Sequence, residues 1–174
     1  MKLRYLFATL LTLGVVLASV QGRAFSGQPS EVVFKITGKV NTPKTVYVSD
    51  LLMLPRAQEN ITYFAAGSVV SQSFTGVLLW DLLQSVGIVV NPSIKNDILR
   101  KTIVVIGSDG YESVFTAGEI DPNFGGNQIM VAYLVDGQLL GTQGPTRIVV
   151  PSDKEGGRFV SMIVKIEVRD DTKD

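Results

Sequence analysis

Glu31 to Val40 alternates apolar and polar side chains, with Val33 and Ile36 interleaved with Lys35 and Thr37. This is the period-two pattern of a strand with one buried face. Asn41, Thr42 and Pro43 turn the chain, and Thr45 to Val48 returns as a second strand. Ser49 and Asp50 predict the cap of a short helical turn over Leu51 to Leu54, stopped by Pro55. A strand near Asn60 to Phe64 precedes the clearest helix, expected from about Gly76 to Val86, capped by Thr75 and closed by Gly87. Its Leu78, Leu79, Leu82, Leu83 and Val86 share one face, which predicts packing against a sheet. Trp80, the only tryptophan, lies beside that face and reads as core or rim packing before ligand stacking. Asn91 and Pro92 predict the start of another short helix, to about Leu99.

Thr102 to Ile106 is strongly β-prone, and Asp109-Gly110 between it and Glu112 to Phe115 predicts a hairpin. Thr116 to Glu119 spells a capping box and hence a helical turn. A Gly-rich loop (Asn123 to Asn127), a strand (Ile129 to Val135), a second turn (Asp136-Gly137), a strand at Arg147 to Val150 and a closing strand at Val160 to Val168 complete the pattern. Strands outnumber helices and hairpins dominate, so the expected fold class is α+β with largely antiparallel sheets.

The N-terminus follows a different rule. Lys2 and Arg4 precede a mostly apolar 15-residue run from Leu6 to Val20, then small and polar residues, which is the layout of a secretory signal. The run is short for a membrane span of about 20 residues, so cleavage after Ala24, or after Gly22, is expected in preference to retention as an anchor. Residues 1–24 are therefore read as signal peptide and 25–174 as one domain, periplasmic or secreted, with no membrane span after signal removal. Losing Lys2, Arg4 and Arg23 and no acidic residue takes the chain from 16 basic against 16 acidic residues to 13 against 16. A mildly acidic product argues against nucleic acid as a partner. About 150 residues suffice for a core that needs no covalent staple.

No residue is a cysteine or a histidine, which excludes thiolate nucleophiles, Ser-His-Asp triads, Cys/His zinc sites and disulfides. Asp121, Asn123, Gly125, Gly126 and Asn127 have the outline of a calcium loop, but position five is glycine and position twelve, where a bidentate acid belongs, is Ala132. Asp109, Glu119 and Asp121 are close in sequence, yet the turn accounts for Asp109 and the cap for Glu119. Neither a Walker loop nor GxGxxG occurs. The most specific constellation is Gly144-Pro145-Thr146-Arg147, the strand to Val150, Pro151 and then Ser152 to Arg158. It sets Arg147, Lys154 and Arg158 around Gly156-Gly157, where cations and backbone N–H groups can hold a phosphate. A solvated β-turn bearing surface charges is the alternative.

FTGVLLWDLL (Phe74 to Leu83), SDGYESVFT (Ser108 to Thr116), AYLVDGQLL (Ala132 to Leu140), GPTRIVVPSDK (Gly144 to Lys154) and GGRFVSMIVKIEV (Gly156 to Val168) resemble, in order and spacing, the molybdopterin-binding domain of the sulfite oxidase and bacterial sulfoxide reductase family. The resemblance implies a sulfite-oxidase-like fold, mostly antiparallel β with a few short helices. In cofactor-loaded members a cysteine upstream of the W/F-x-G-V motif ligates molybdenum, and basic residues near a G-x-K/R loop hold the pterin phosphate. By register that cysteine belongs in the stretch that here reads Phe64, Ala65, Ala66, Gly67, Ser68, Val69. Arg158 matches the basic residue after the glycine, while Ser161 stands where many cofactor-binding members carry a further lysine. Loaded members are exported folded, by a twin-arginine signal, and Lys2-Leu3-Arg4 has no adjacent arginine pair.

The resemblance therefore implies an exported, non-catalytic domain that keeps a cleft for a small anionic or heterocyclic ligand, or for a protein partner in the cell envelope. Tyr111, Arg147, Lys154 and Arg158 are the expected cleft residues, with Gly156 and Gly157 allowing close backbone approach. No catalytic residue, metal ligand or resident cofactor is expected, molybdopterin being the group the resemblance allows. The alternatives are a molybdopterin-dependent oxidoreductase with its metal held by the pterin alone, and an accessory subunit docked on a membrane redox partner. On the export reading, mass spectrometry of exported material should find an N-terminus at Phe25 or Arg23. An intact Met1 in the membrane fraction would mean the apolar run is kept as an anchor.

Overall fold

A computed structural model describes residues 31–170; the signal segment lies outside them. The elements are β1 (Val32–Gly38), β2 (Lys44–Tyr47), α1 (Val48–Leu52), β3 (Arg56–Ala65), β4 (Ser68–Leu78), α2 (Leu79–Val86), β5 (Lys101–Gly107), β6 (Glu112–Thr116), α3 (Ala117–Ile120), β7 (Met130–Val135), β8 (Gln138–Leu139), β9 (Arg147–Val149) and β10 (Ile163–Asp170). One five-stranded sheet has the order β2-β1-β10-β5-β6, and a second runs β3-β4-β7-β8 with β9 also on β7. Every pairing is antiparallel except β1 with β10. The class is α+β, mostly antiparallel, with short helices, as the strand pattern predicts.

The alternation in β1 sends Phe34 and Ile36 inward, and an irregularity in its pairing with β2 between Val32 and Phe34 buries Val33 as well. Side chains from both sheets and from α2 (Leu79, Leu82, Leu83, Val86) form one apolar cluster, with Phe34, Phe74 and Phe115 its largest fully buried members. Trp80 packs partly buried against that cluster, the rim position expected of it.

Four expectations shift. The helix does not begin at Gly76: β4 runs on to Leu78, and α2 is only Leu79–Val86, closed by Gly87 at φ 69°. Gly76 is where β4 crosses close to β7. A Cβ there would collide with the Val131 carbonyl and lie 2.6 Å from the Ala132 Cα, so the glycine serves strand approach and not a helix start. Helix α1 begins one residue before the expected cap, and Asp50 at its third position reaches back to the Tyr47 N–H at 2.8 Å. The segment after Asn91 forms turns and a 3-10 helix, Asp97–Arg100. There Asn91 Oδ1 accepts the Ser93 N–H and Asp97 accepts the Asn91 N–H, local bonds that compete with a helix. The last strand begins at Ile163 and not Val160, because Val160 O takes the Ile148 N–H while Met162 turns at φ 49° and bonds Gln143 and Ser108.

Both predicted Asp-Gly hairpins form, Asp109-Gly110 between β5 and β6 and Asp136-Gly137, with φ 49° and 72°, between β7 and β8. The β3–β4 turn is Ala66-Gly67 at φ 50° and 82°, a left-handed pair that normally calls for Asn, Asp or Gly at its first position.

The end of β10 is tied down by a buried ion cluster. Lys101 Nζ sits 2.8 Å from Asp97 Oδ2 and 2.5 Å from Asp170 Oδ2, with both Lys101 and Asp97 almost fully covered. The hydrogen bond from Lys101, then that from the Asn91 N–H, holds the Asp97 carboxyl below its ordinary range against the opposing effect of burial. Burial works against the Lys101 ammonium, but its bonds to Asp170 and Asp97 outweigh it and push the pKa up. A depressed folded-state pKa gives stability that is full above the unfolded value of about 4 and lost as pH falls through the folded value. The raised lysine does the reverse, its share being full below the unfolded value of about 10.4 and lost as pH rises through the folded one. Lys101→Met should therefore lower the urea midpoint at neutral pH, with the deficit shrinking by about pH 3 as the carboxylates protonate. A deficit that ignores pH would assign the loss to packing.

Candidate functional site

The tip of the β3–β4 hairpin, the start of β9 and the loop after Pro151 enclose a cleft of about 310 Å³ lined by Phe64, Ala65, Ala66, Arg147, Glu155, Gly156 and Gly157. The loop is held against the hairpin edge by backbone bonding. The Phe64 N–H donates to Lys154 O at 2.8 Å, and Phe64 pairs with Glu155 in a parallel bridge. Below this contact the rings of Tyr63 and Phe159 lie 4.8 Å apart. Gly156 passes so near Tyr63 that a Cβ would lie 3.1 Å from its ring, so any other residue there would have to displace the ring or the loop by a few tenths of an ångström. Around Gly157 a Cβ would meet nothing within 4 Å, and its bareness leaves space in the cleft.

Arg147 is the cation of the cleft. Its guanidinium lies over the Phe159 ring, 5.3 Å from the centroid, and Nη1 donates to Gln143 Oε1 at 2.8 Å. Its Nε is buried and meets no hydrogen-bond acceptor, a state that costs about 1–3 kcal/mol.

Arg158 faces elsewhere, against the expectation that the two arginines converge. Nε and Nη2 take both oxygens of Asp153, at 2.8 and 2.6 Å, and Nη1 reaches Glu119 Oε1 at 3.1 Å, with the guanidinium over Phe115. The physical reason is local: two carboxylates lie within its reach, one in its own loop and one on α3. The hydrogen-bonded Asp153 carboxylate, then that of Glu119, drives the guanidinium further toward its charged form against the effect of burial. Glu119 thus does more than its sequence role suggests. Thr116 Oγ1 accepts its N–H as the helix cap, while its carboxylate is given to Arg158.

The other expected residues divide. Gly156 and Gly157 line the cleft with Arg147. Tyr111 does not line it, but props the loop, its hydroxyl donating to Gly157 O at 2.5 Å. Lys154 contributes its backbone carbonyl, and its side chain is exposed. Glu155, Gln143 and Phe159 were not foreseen. Glu155 adjoins the glycine pair, which could have drawn attention to it, whereas nothing in the sequence marks Gln143 as the partner of Arg147. Asp109 accepts the Tyr111 N–H, and Asp121 accepts the Asn123 backbone and side-chain N–H groups, which are turn roles. Among the described residues no group of three or more acidic side chains is placed to hold a metal ion.

The chain matches the family model described as oxidoreductase molybdopterin binding domain over residues 22–174. Among solved structures, the crystal structure of the sulfane dehydrogenase SoxCD from Paracoccus pantotrophus superposes with a TM-score of 0.66 at 21% identity, covering 82% of this chain and 39% of that chain. The likeness is one of fold, and this chain spans well under half of the solved chain it matches. No curated protein matches.

Because Arg158 is engaged with Asp153 and Glu119, its removal should be felt in the loop. Arg158→Ala should cost about 1–2 kcal/mol in urea unfolding, the ion pairs being partly exposed. Arg158→Lys should recover only part, since an ammonium cannot bridge Asp153 with two parallel bonds. A variant as stable as wild type would show that the pairs contribute nothing.

Proposed function

The chain belongs to the oxidoreductase molybdopterin-binding domain family, and on that premise we propose that it is an exported, non-catalytic member whose cleft binds a small ligand bearing an anionic group, gripped by Arg147. One observation carries the reading. Of the stretch Phe64 to Val69, where the resemblance calls for a thiolate, the residues lining the cleft are Phe64, Ala65 and Ala66, none with a side-chain atom for a metal, and the one hydroxyl, that of Ser68, lies outside the lining and donates to the Ala65 carbonyl.

The rest of the donor set agrees. The metal-pterin group does not fit these residues: no side chain lining the cleft offers a thiolate, and the arginine expected at its phosphate is occupied by two carboxylates. The volume is at the small end of the roughly 300–1,000 Å³ of ligand cavities. What remains suits a compact anion: a guanidinium backed by an aromatic ring, with its fork held by Gln143. The signal-like N-terminus supports export to the periplasm or beyond.

Protein purified from its native host should carry neither molybdenum nor pterin, and near-stoichiometric amounts of both would overturn the reading in favour of an oxidoreductase. Thermal-shift titration with phosphate, sulfate and acetate should give saturable stabilisation by at least one anion, since a ligand bound only by the native state raises stability. Arg147→Gln should weaken that binding about ten-fold or more. No saturable response to any of the three would leave the cleft to a protein partner.

A further inference from the structure

The cleft contains two opposite charges that do not meet. Arg147 and Glu155 both line it, yet among the described residues no ion pair joins them, although eight others form. Two other charged residues of the loop do pair, Arg158 with Asp153. Arg147 instead keeps a buried Nε without an acceptor. A pure oxyanion would engage Arg147 and gain nothing from Glu155, which is exposed at the rim. A pure cation would engage Glu155 and be set against Arg147.

The third component of the wall is apolar. Phe64 is 46% exposed at the hairpin tip, directly opposite Val69, which is 71% exposed, and Ala65 and Ala66 continue the surface into the cleft. Gly157 adds no side chain although packing would permit one, which leaves the cleft open at that point of its lining. Cation, carboxylate and apolar wall around about 310 Å³ match one chemical class.

We infer that the cleft recognises a small zwitterion with an apolar side chain, of the free α-amino acid type, its carboxylate on Arg147, its ammonium on Glu155 and its side chain against Phe64 and Ala65. The inference rests on the cleft being a ligand site and narrows what that site takes. Both charges of such a ligand are met by charge-assisted hydrogen bonds, and neither Arg147 nor Glu155 is left beside a like charge or without a partner.

Calorimetric titration of the full mature protein with L-leucine, N-acetyl-L-leucine and L-leucinamide tests it. L-Leucine should bind saturably, and the two derivatives, each lacking one charge, should bind at least about ten-fold more weakly. Glu155→Gln, a substitution at an exposed side chain, should abolish the discrimination against N-acetyl-L-leucine and leave that against L-leucinamide. Arg147→Gln should do the converse. If it fails to fold, Glu155→Gln alone decides, because only a ligand ammonium seated on Glu155 produces its effect. N-acetyl-L-leucine binding as tightly as L-leucine would overturn the zwitterion while the anion site stands. Failure of all three, together with no response to phosphate, sulfate or acetate, would overturn both.

Discussion

The cleft exists because Arg158 is neutralised. With Asp153 gripped from both oxygens and Glu119 reached across from α3, the segment after Pro151 becomes a closed loop fastened to a helix, where it would otherwise be a free connection. That closure brings the Lys154 carbonyl to the edge of β3 and Gly156 under Tyr63. Tyr111, at the far side, fixes the next carbonyl. The remaining arginine, on β9, then faces a wall and a void of defined shape. One guanidinium builds the site and the other is available to use it.

That division of labour was not legible in the sequence. Arg147 and Arg158 are the same residue type eleven positions apart, both flanking a turn, and the argument from charge alone treats them alike. Their separate fates depend on which carboxylates fold near them, and Glu119 comes from 39 residues away in the chain. Where the cause is local, the sequence is read correctly. Asp136-Gly137 announces its turn because Asp and Gly tolerate positive φ, and Thr116 caps α3 as its spacing requires. Ala66-Gly67 makes the same kind of turn unannounced, since alanine is a poor residue for the left-handed region, and with it the long β4 strand was missed. Gly76 was misread because a glycine required by a neighbouring backbone is indistinguishable, in one dimension, from a glycine near a helix start.

The contacts that hold the scaffold together lie mostly away from the cleft. The apolar cluster draws on both sheets and α2, and the buried Lys101 cluster pins the last strand. Neither borrows stability from the cleft. A fold held together in this way can lose a ligating side chain and keep its concavity, because the walls are positioned by the loop tie and the hairpin edge, with no need of an occupant. Function on such a scaffold is decided by the few side chains that face the opening.

The sheet order β2-β1-β10-β5-β6 places the last strand of the chain in the middle of the first sheet, parallel to the first strand on one side and antiparallel to β5 on the other. Until β10 has been made, that sheet can be no more than two separate hairpins with bare inner edges. Such long-range closure makes folding slow compared with that of a helical domain of similar size. Until β10 joins them, the inner edges of β1 and β5 are bare, and bare strand edges are where another chain can pair.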